Sequence, residues 1–329
     1  MDAALERFAG TEILIAGDVM LDEYVWGEVN RISQEAPVPV VEAKTRTYAP
    51  GGASNVAINV VSLSGKALLG GVVGEDGSAD QLKRLLTEAR VDVSGLLPDS
   101  SRPTTTKTRI IAHSQQVVRV DSEQRAALSD AMKNRLLDWM EAHLAGIGAC
   151  VVSDYSKGVF TPDFTQRFIQ KARQSHKPVI VDPKGTDYQK YRGATVIKPN
   201  IHELAQAVGL DAGDESGLHF AAQRLLEIVE GSALLVTRGS EGMLLFQQDK
   251  PCIKIPPIPR NVYDSTGAGD TVVSALALAL GSGADLETAA RLANHAASIV
   301  VGKLGTASVT REELSREKSE NRKQKTEDA

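Results

Sequence analysis

A glycine-rich segment lies directly before a helix-forming run near the carboxyl-terminal end of the sequence. It comprises residues 264–271, Asp-Ser-Thr-Gly-Ala-Gly-Asp-Thr, and the apolar run 272–280 follows it. Backbone N–H groups at a helix start are unpaired and lie at the positive end of the helix dipole, so they favour an anion. We expect Gly267, Ala268 and Gly269 to hold a transferring phosphoryl group there.

Asp270, at the opening of the same helix, is the candidate base. A carboxylate beside an anion site would repel a phosphate that is merely bound, but it can accept the proton of an alcohol that attacks phosphorus. The alternative is that Asp270 only interacts favourably with the helix dipole from the first turn. The segment alone leaves both interpretations open, because short glycine motifs often occur by chance.

A second glycine pair precedes another predicted helix at residues 50–57, Pro-Gly-Gly-Ala-Ser-Asn-Val-Ala. Gly51 and Gly52 permit a tight backbone turn, and Asn55 can both donate hydrogen bonds to sugar hydroxyls and accept them. Taken alone, this segment is equally a turn followed by a helix cap. Together, the two segments match the paired signatures of the ribokinase-like (PfkB) carbohydrate kinase family, which the chain resembles from about residue 11 to residue 304.

The resemblance implies a sugar site beyond the first predicted strand. Asp18 looks like the family's first sugar-contacting acid, and Asp22 could assist it, since carboxylates form strong hydrogen bonds with hydroxyl groups. Asp270 then takes the proton of the sugar hydroxyl. The other groups that the resemblance assigns to the reaction are Gly52 and Asn55 for the sugar, and the amides of Ala268, Gly269 and Asp270 for the phosphoryl oxygens.

The resemblance also implies ATP and Mg²⁺ as cofactors and leaves a monovalent cation open. Asn200 and Glu203 match the family's Asn-x-x-Glu element, which organises magnesium, usually through water, and Mg²⁺ prefers oxygen ligands and retained waters. The segment 237–242 resembles the family's nucleotide loop and supplies Thr237, Arg238, Gly239 and Gly242. Without the resemblance it would be a plain β-turn. Asn294 either flanks the adenine or is an amide on a helix surface.

Within the family, one subgroup fits over long stretches: the kinases of D-glycero-β-D-manno-heptose 7-phosphate. The segments that carry this resemblance are 17–22, 31–41 and 153–158. It implies phosphoryl transfer to the anomeric O1, which gives heptose 1,7-bisphosphate for lipopolysaccharide heptose synthesis. Gln34 stands where we expect proline, which puts only the local turn in doubt. Because the sequence contains no His-x-Gly-His, we expect a kinase without an adenylyl-transferring activity.

A substrate that already carries a phosphate needs a cationic contact remote from the reaction centre. Our hypothesis is that Lys157 and at least one of Lys107 and Arg109 make that contact. Arg119 lies in the segment 103–121 with Lys107 and Arg109, and Asp154 lies in the segment 154–158 with Lys157. The alternative is that these charges are solvated on an exposed sheet, as charged side chains mostly are.

Alternating strand and helix patterns position these residues. Short apolar runs at 13–16, 67–73, 150–152, 179–181, 195–197 and 234–236 alternate with helix-length stretches such as 79–89 and 164–173. This alternation predicts an α/β fold with a largely parallel sheet covered by helices. The β-rich segments 22–48 and 103–121 predict a small separate sheet that acts as a lid, with an edge hairpin on the main sheet as the alternative.

Composition narrows the class of protein. The 329 residues carry a net charge of −5, so we expect no nucleic-acid partner. Cys150 and Cys252 lack metal-ligand spacing, and no signal sequence or membrane span is evident, which favours the cytoplasm. We expect a single kinase domain over residues 1–310, a charged and disordered tail from Arg311 to Ala329, and a homodimer that pairs through the lid sheet.

Three other functions compete with this prediction. Another kinase of the same family could act on a phosphorylated ketohexose or a pentose. A sugar or nucleotide sensor without catalytic activity could keep the fold, although the intact segment 267–270 argues against it. An NAD-dependent oxidoreductase is disfavoured, because no Gly-x-Gly-x-x-Gly follows the first predicted strand.

Overall fold

Two β-sheets and the helices that cover the larger one form the part of the chain that the structure describes. The structure is a computed structural model, and it describes residues 2–260, 262–303 and 307–316. The strands of the larger sheet are β1 (Glu12–Gly17), β4 (Lys66–Val73), β5 (Asp92–Pro98), β8 (Ala149–Ser153), β9 (Val179–Asp182), β10 (Val196–Ile197), β11 (Ala233–Thr237), β12 (Met243–Phe246) and β13 (Ile253–Ile255).

The order of these strands across the sheet is β13-β12-β11-β10-β9-β8-β1-β4-β5. All pairings from β11 to β5 are parallel, and β12 and β13 form an antiparallel edge. Every residue of β8 is buried. Such continuous apolar strands occur where helices cover both faces of a parallel sheet.

The helices that cover this sheet are α1 (Asp2–Glu6), α2 (Ala53–Ser62), α3 (Gly77–Glu88), α4 (Asp130–His143), α5 (Pro162–Gln174), α6 (Ile201–Val208), α7 (Glu215–Ile228), α8 (Ala268–Gly281) and α9 (Leu286–Val300). Ile13 and Ile15 of β1 belong to one hydrophobic core, with residues of α2, α3, α8 and α9. Leu14 and Ala16 belong to a second core, with residues of α4 to α7. Successive strand residues point to opposite faces, so one strand serves both cores.

The smaller sheet has the order β3-β2-β6-β7. Its strands are β2 (Val19–Ile32), β3 (Pro39–Gly52), β6 (Thr106–Ala112) and β7 (Gln115–Ser122). It is mostly antiparallel, with one parallel pair between β2 and β6. Val19 pairs with Gly52, so the β2-β3 hairpin begins beside the carboxyl end of β1. The prediction of a small separate sheet is confirmed, and the alternative of an edge hairpin on the main sheet is wrong.

The predicted strands and helices of the larger sheet are confirmed, with ends that differ by a few residues. The chain is ordered beyond the predicted start of the tail at Arg311. Residues 311–316 form a short helix whose Leu314 is fully buried in the core of α8 and α9. One apolar side chain among the charges anchors this segment, so the prediction of disorder is wrong there. The predicted tail over 317–329 lies outside the described residues.

No helix within the described ranges combines the length and apolar character needed to cross a bilayer.

Candidate active site

Polar residues follow three strands at the carboxyl edge of the larger sheet. Asp18 follows β1, Asp154 follows β8, and Lys198 follows β10. Ligands of open α/β sheets bind at this edge, where parallel strands end together. The start of α8 reaches the same edge, so the glycine-rich segment and the residues after the strands form one site.

Asp270 lies in the first turn of α8, where its carboxylate is 7% exposed and held by two donors. Asn55 Nδ2 donates to Asp270 Oδ2 at 2.6 Å, and the Tyr155 hydroxyl donates to Asp270 Oδ1 at 2.8 Å. Gly267 begins the helix with a φ of 80°, a left-handed conformation that glycine adopts without strain. The side chain therefore points into the site and not along the helix surface.

The groups around Asp270 raise the pKa of its carboxyl group towards neutral pH. Burial, followed by the charge of Asp182, raises the pKa of Asp270 to about 6. The hydrogen bonds from Asn55 and Tyr155 and the charge of Lys198 act in the opposite direction. A carboxylate with a pKa close to the working pH is ionised at pH 7 and still basic enough to accept a proton.

A buried ion pair lies beside the start of α8. Lys198 Nζ is 2.9 Å from Asp182 Oδ1, and a Cβ atom on Gly269 would lie 3.4 Å from that Nζ. Burial, the largest single effect, lowers the pKa of Lys198, but the charge and hydrogen bond of Asp182, together with the charges of Glu203 and Asp270, raise it above the ordinary value. The ammonium group is therefore charged, and it adds to the anion site.

The predicted set of backbone donors needs one correction. The Ala268 amide donates to the Ser265 carbonyl, so it is occupied within the loop. Gly269 and Asp270 have amides without a described backbone acceptor, as expected in the first turn of a helix. The anion site therefore consists of these two amides and Lys198.

Asp18 presents one carboxylate oxygen to the predicted sugar site. Its Oδ2 accepts hydrogen bonds from the amides of Tyr155, at 2.7 Å, and Lys157, at 3.1 Å. Its Oδ1 is buried without a described partner, beside a small cavity that Arg102 and Lys157 also line. Burial, followed by the charge of Asp154, raises the pKa of Asp18 to about 6. An orphaned buried acceptor costs free energy, which a sugar hydroxyl would offset.

The glycine pair packs against the base of the β2-β3 hairpin. A Cβ atom on Gly51 would lie 2.4 Å from Asp22 Oδ2, and one on Gly52 would lie 2.6 Å from the Asp18 carbonyl oxygen. Gly52 also has a φ of 56°. Asp22 accepts a hydrogen bond of 2.6 Å from Arg109 Nη1, so these two predicted sugar-site residues contact each other.

The basic residues proposed for the substrate phosphate separate into two groups. Lys107 and Lys157 converge on Glu123, with Nζ–Oε2 distances of 3.9 and 2.5 Å, and Lys107 also contacts Asp121 at 3.1 Å. Arg109 is occupied by Asp22. Arg119 pairs with Asp121 and its side chain is 49% exposed. The structure thus brings Lys107 and Lys157 to one carboxylate, and Arg119 shares Asp121 with Lys107, while Arg109 has a different partner.

Asp154 stabilises its own loop, in contrast to its predicted contact with the substrate. The Ser156 amide donates to Asp154 Oδ1 at 2.7 Å. Lys190 Nζ and the Tyr191 hydroxyl donate to Asp154 Oδ2 at 2.6 and 2.7 Å. With both oxygens used, this carboxylate fixes the loop 154–158.

A cavity of about 580 Å³ opens next to the start of α8. Its size is within the range of small-molecule sites. Its walls combine residues of the β11-β12 turn, residues 257–260 and Val262, α8 and α9. The predicted nucleotide residues that line it are Thr237, Gly239, Gly242 and Asn294, together with Ala268 and Gly269. Arg238 does not line it, because its guanidinium pairs with Glu241.

Asn294 has a structural role in this cavity. Its Nδ2 donates to the Pro256 carbonyl at 2.9 Å, and the residue is 8% exposed. It is therefore buried at the wall and not an amide on a helix surface. Gly242 ends the turn between β11 and β12. Its φ is 83°, and a Cβ atom there would lie 2.3 Å from the Ile255 carbonyl oxygen, so only glycine fits.

Asn200 and Glu203 form a capping box at the start of α6. Asn200 Oδ1 accepts from the Glu203 amide at 2.9 Å, and Glu203 Oε2 accepts from the Asn200 amide at 3.0 Å. Glu203 Oε1 contacts only the exposed Lys184, so this oxygen can accept from a metal-bound water. Across the described ranges, no three His, Cys, Asp or Glu side chains cluster as a preformed metal site.

Three residues that sequence reasoning left without a role are central here: Tyr155, Asp182 and Lys198. Asp182 and Lys198 directly follow predicted parallel strands, a signal that could have identified them. Tyr155 lies in a segment that carried the family resemblance, but nothing local distinguishes its hydroxyl as a partner of Asp270.

Comparisons with known proteins agree with this geometry. Residues 11–313 match the model of the pfkB family of carbohydrate kinases. The chain is 43% identical to the bifunctional protein HldE of Desulfatibacillum aliphaticivorans, over 93% of the chain and 63% of that protein. It is 45% identical to that of Geotalea uraniireducens, over 95% and 64%. The chain thus spans less than two thirds of the length of these curated relatives.

Solved structures share the fold at low identity. Arabidopsis thaliana ribokinase, complexed with ribose and ATP, has a TM-score of 0.74 at 22% identity, with 93% of this chain and 98% of that chain covered. Phosphofructokinase-2 from Escherichia coli, in complex with potassium, has a TM-score of 0.75 at 21% identity, with 93% and 97% covered.

Proposed function

Because this chain belongs to the pfkB family of carbohydrate kinases, we propose that it transfers the γ-phosphoryl group of ATP to O1 of D-glycero-β-D-manno-heptose 7-phosphate. The product is heptose 1,7-bisphosphate, a precursor for lipopolysaccharide heptose, and the proposed compartment is the cytoplasm. The observation that carries the proposal is the buried Asp270 carboxylate, which lies within the electrostatic influence of Lys198 and directly follows Gly269, a residue that lines the 580 Å³ cavity. The proposed kinase domain spans residues 1–310.

Phosphoryl transfer depends mainly on positioning and on stabilisation of charge. In the proposed reaction, Asp18 Oδ1 accepts a hydrogen bond from a sugar hydroxyl, and Asp270 takes the O1 proton as O1 attacks the γ-phosphorus. The amides of Gly269 and Asp270 and the Lys198 ammonium group stabilise the negative charge on the phosphoryl oxygens. The cavity lined by Thr237, Gly239 and Asn294 receives the nucleoside.

Magnesium, when bound, offsets the charge of the β- and γ-phosphates. Asn200 and Glu203 would hold it through water, since Glu203 Oε1 has only an exposed lysine as its partner. Glu203 also acts electrostatically on Lys198 and Asp182, which places it near the start of α8.

The cluster of Lys107, Lys157 and Glu123 supports a phosphorylated sugar as the substrate. Two ammonium groups share one carboxylate, and Glu123 also pairs with the exposed Arg125. A phosphate carries more charge than a carboxylate, so it could replace Glu123 as the partner of both lysines. We propose that this cluster binds the 7-phosphate, since Lys157 belongs to the loop 154–158, whose amides contact Asp18.

A homodimer that pairs through the smaller sheet is part of the proposal. Large apolar side chains on this sheet are exposed, including Trp26, Ile32, Val118 and Val120, at 42% to 61%. Exposed apolar patches often mark protein interfaces. Sedimentation analysis of wild type and Val118→Lys tests this, and we expect a dimer that the substitution weakens.

The deciding experiment for the activity is mass spectrometry and NMR spectroscopy of the products formed from ATP and a panel of sugars. The panel contains heptose 7-phosphate, unphosphorylated heptose, fructose 6-phosphate and ribose. We expect one added phosphoryl group on heptose 7-phosphate, with ³¹P–¹H coupling to the anomeric proton. Faster turnover of a ketohexose phosphate or a pentose would favour another activity of the family, and no turnover of any sugar would favour a sensor.

A further inference from the structure

Tyr155 connects the two carboxylates of the candidate active site. Its backbone amide donates to Asp18 Oδ2 at 2.7 Å, and its hydroxyl donates to Asp270 Oδ1 at 2.8 Å. One residue of the loop between β8 and α5 thus contacts both the sugar-binding acid and the base. Nothing in the proposed reaction assigns it a role.

The loop that carries Tyr155 is fixed from several sides. Asp154 accepts hydrogen bonds from the Ser156 amide, Lys190 and Tyr191. Gly158 has a φ of 92°, and a Cβ atom there would lie 2.1 Å from the Ala126 carbonyl oxygen. Because the loop is anchored at both ends, the position of the Tyr155 hydroxyl is set by the fold.

We propose that Tyr155 is the positioning residue of the base: its hydroxyl fixes the orientation of the Asp270 carboxylate and keeps that carboxylate anionic. Asn55 holds the other oxygen, so two donors from different elements fix the rotation of the carboxylate. A carboxylate has about four acceptor positions, and two donors leave room for the proton of a sugar hydroxyl.

The charges and the burial around Asp270 explain why the hydrogen bond from the Tyr155 hydroxyl affects the charge state of the carboxylate. The groups that face Asp270 are Asp182, Lys198, Asn55 and Tyr155, and burial with Asp182 favours the protonated acid. Burial, followed by the charge of Asp270, raises the pKa of Tyr155 well above its ordinary value, so the phenol remains a donor. Removal of the hydroxyl leaves the Asp270 anion with one neutral donor and the Lys198 charge.

The first test needs no substrate. In protein labelled with ¹³C at the aspartate carboxyl carbon, the Asp270 resonance is identified by its absence in Asp270→Asn. We expect Tyr155→Phe to raise the midpoint of its titration by roughly one pH unit, because the Asp270 anion loses one of its two side-chain hydrogen-bond donors. Tyr188→Phe is the control, because the Tyr188 hydroxyl is buried without a described hydrogen-bond partner. An unchanged midpoint in Tyr155→Phe would overturn the proposal.

The second test rests on the proposed function and uses heptose 7-phosphate and ATP. We expect Tyr155→Phe to lower kcat about tenfold at pH 7, to move the acid limb of the rate profile to higher pH, and to leave the KM for ATP within about twofold. An acid limb that stays in place contradicts the proposal that Tyr155 keeps the carboxylate anionic, and a loss confined to KM contradicts the positioning role. If the wild type does not turn over, the proposed function fails, while the titration still decides the role of Tyr155.

Discussion

Asn55 and Asp270 are 215 positions apart in the sequence, and a hydrogen bond of 2.6 Å joins Asn55 Nδ2 to Asp270 Oδ2. Further buried hydrogen bonds hold α2 against α8 around this pair. Thr271 Oγ1 donates to Asn59 Oδ1 at 2.8 Å, and Ser274 Oγ donates to the Val56 carbonyl at 2.9 Å. The two glycine-containing segments of the sequence therefore meet as a rigid helix pair, which positions the base.

Replacement of Asp270 tests its role as the base. We expect Asp270→Asn to lower kcat by at least about 10²-fold and to leave ATP binding within about twofold, because the amide cannot accept the alcohol proton. Steady-state kinetics and calorimetric titration with ATP measure the two effects. Asp80→Asn is the matched control, since Asp80 is an exposed acid in the first turn of α3. Near-normal kcat in Asp270→Asn would contradict general-base catalysis.

The same substitution is expected to stabilise the fold in a pH-dependent way. The pKa of Asp270 is about 6 in the folded state against an ordinary value of 3.8, so the folded state binds more protons between these values. This group's contribution to the free energy of unfolding therefore falls as pH rises from about 4 to 6. We expect the stability gain of Asp270→Asn over wild type to be roughly 2–3 kcal/mol larger at pH 8 than at pH 4, measured by denaturant unfolding. A smaller gain at pH 8 than at pH 4 would argue against a raised pKa.

Substitutions of Lys198 and Asp182 separate the effect of the ion pair on stability from its effect on catalysis. We expect Lys198→Met to cost about 3 kcal/mol of stability, because Asp182 remains buried without its partner, and to lower kcat at least about 10²-fold. The double variant Lys198→Met/Asp182→Asn removes the unpaired charge, so most of the stability returns and the activity does not. Recovery of kcat in the double variant would exclude a role for the ammonium group in the reaction.

Substitutions of Lys157 and Glu123 should change the KM for the phosphorylated sugar in opposite directions. We expect Lys157→Ala to raise the KM for the phosphorylated sugar at least about tenfold, and Glu123→Gln to lower it, because Glu123 competes with phosphate for the lysines. Lys44→Ala is the control, since Lys44 is a 55% exposed lysine of the smaller sheet with acidic partners. Equal KM values for Lys157→Ala and wild type would remove Lys157 from the phosphate site.

Gly269 offers a substitution that should preserve the fold and impair the reaction. A methyl group there would lie at ordinary contact distance from Lys198, and Gly269 lines the nucleotide cavity. We expect Gly269→Ala to lower kcat/KM for ATP about tenfold with unchanged or slightly higher thermal stability, since alanine favours a helix by about 0.5–1 kcal/mol. Gly77→Ala, at the open start of α3, should show the stability effect alone.

Much of the fold and part of the site followed from the sequence. The alternation of apolar runs identified strands β1, β4, β8, β9, β10 and β11, because burial on both faces requires continuous apolar residues. The glycine-rich start of α8 predicted the anion site and Asp270, since a helix start exposes amides whatever surrounds it. The small sheet was also predicted, with ends that differ by a few residues.

Only the tertiary structure decided which polar groups meet. Local patterns did not show that Asp154 stabilises its own loop, that Arg109 is occupied by Asp22, or that Asn200 and Glu203 cap α6. Nor did they reveal Tyr155 and Lys198 as neighbours of the start of α8. The sequence by itself determined the elements and the glycine-rich helix start, because periodicity and unpaired helix amides are local properties, while the choice of Asp270 as the candidate base rested on the family resemblance. The tertiary structure decided the partners of each charge, because contacts between distant strand ends depend on how the sheet and helices pack.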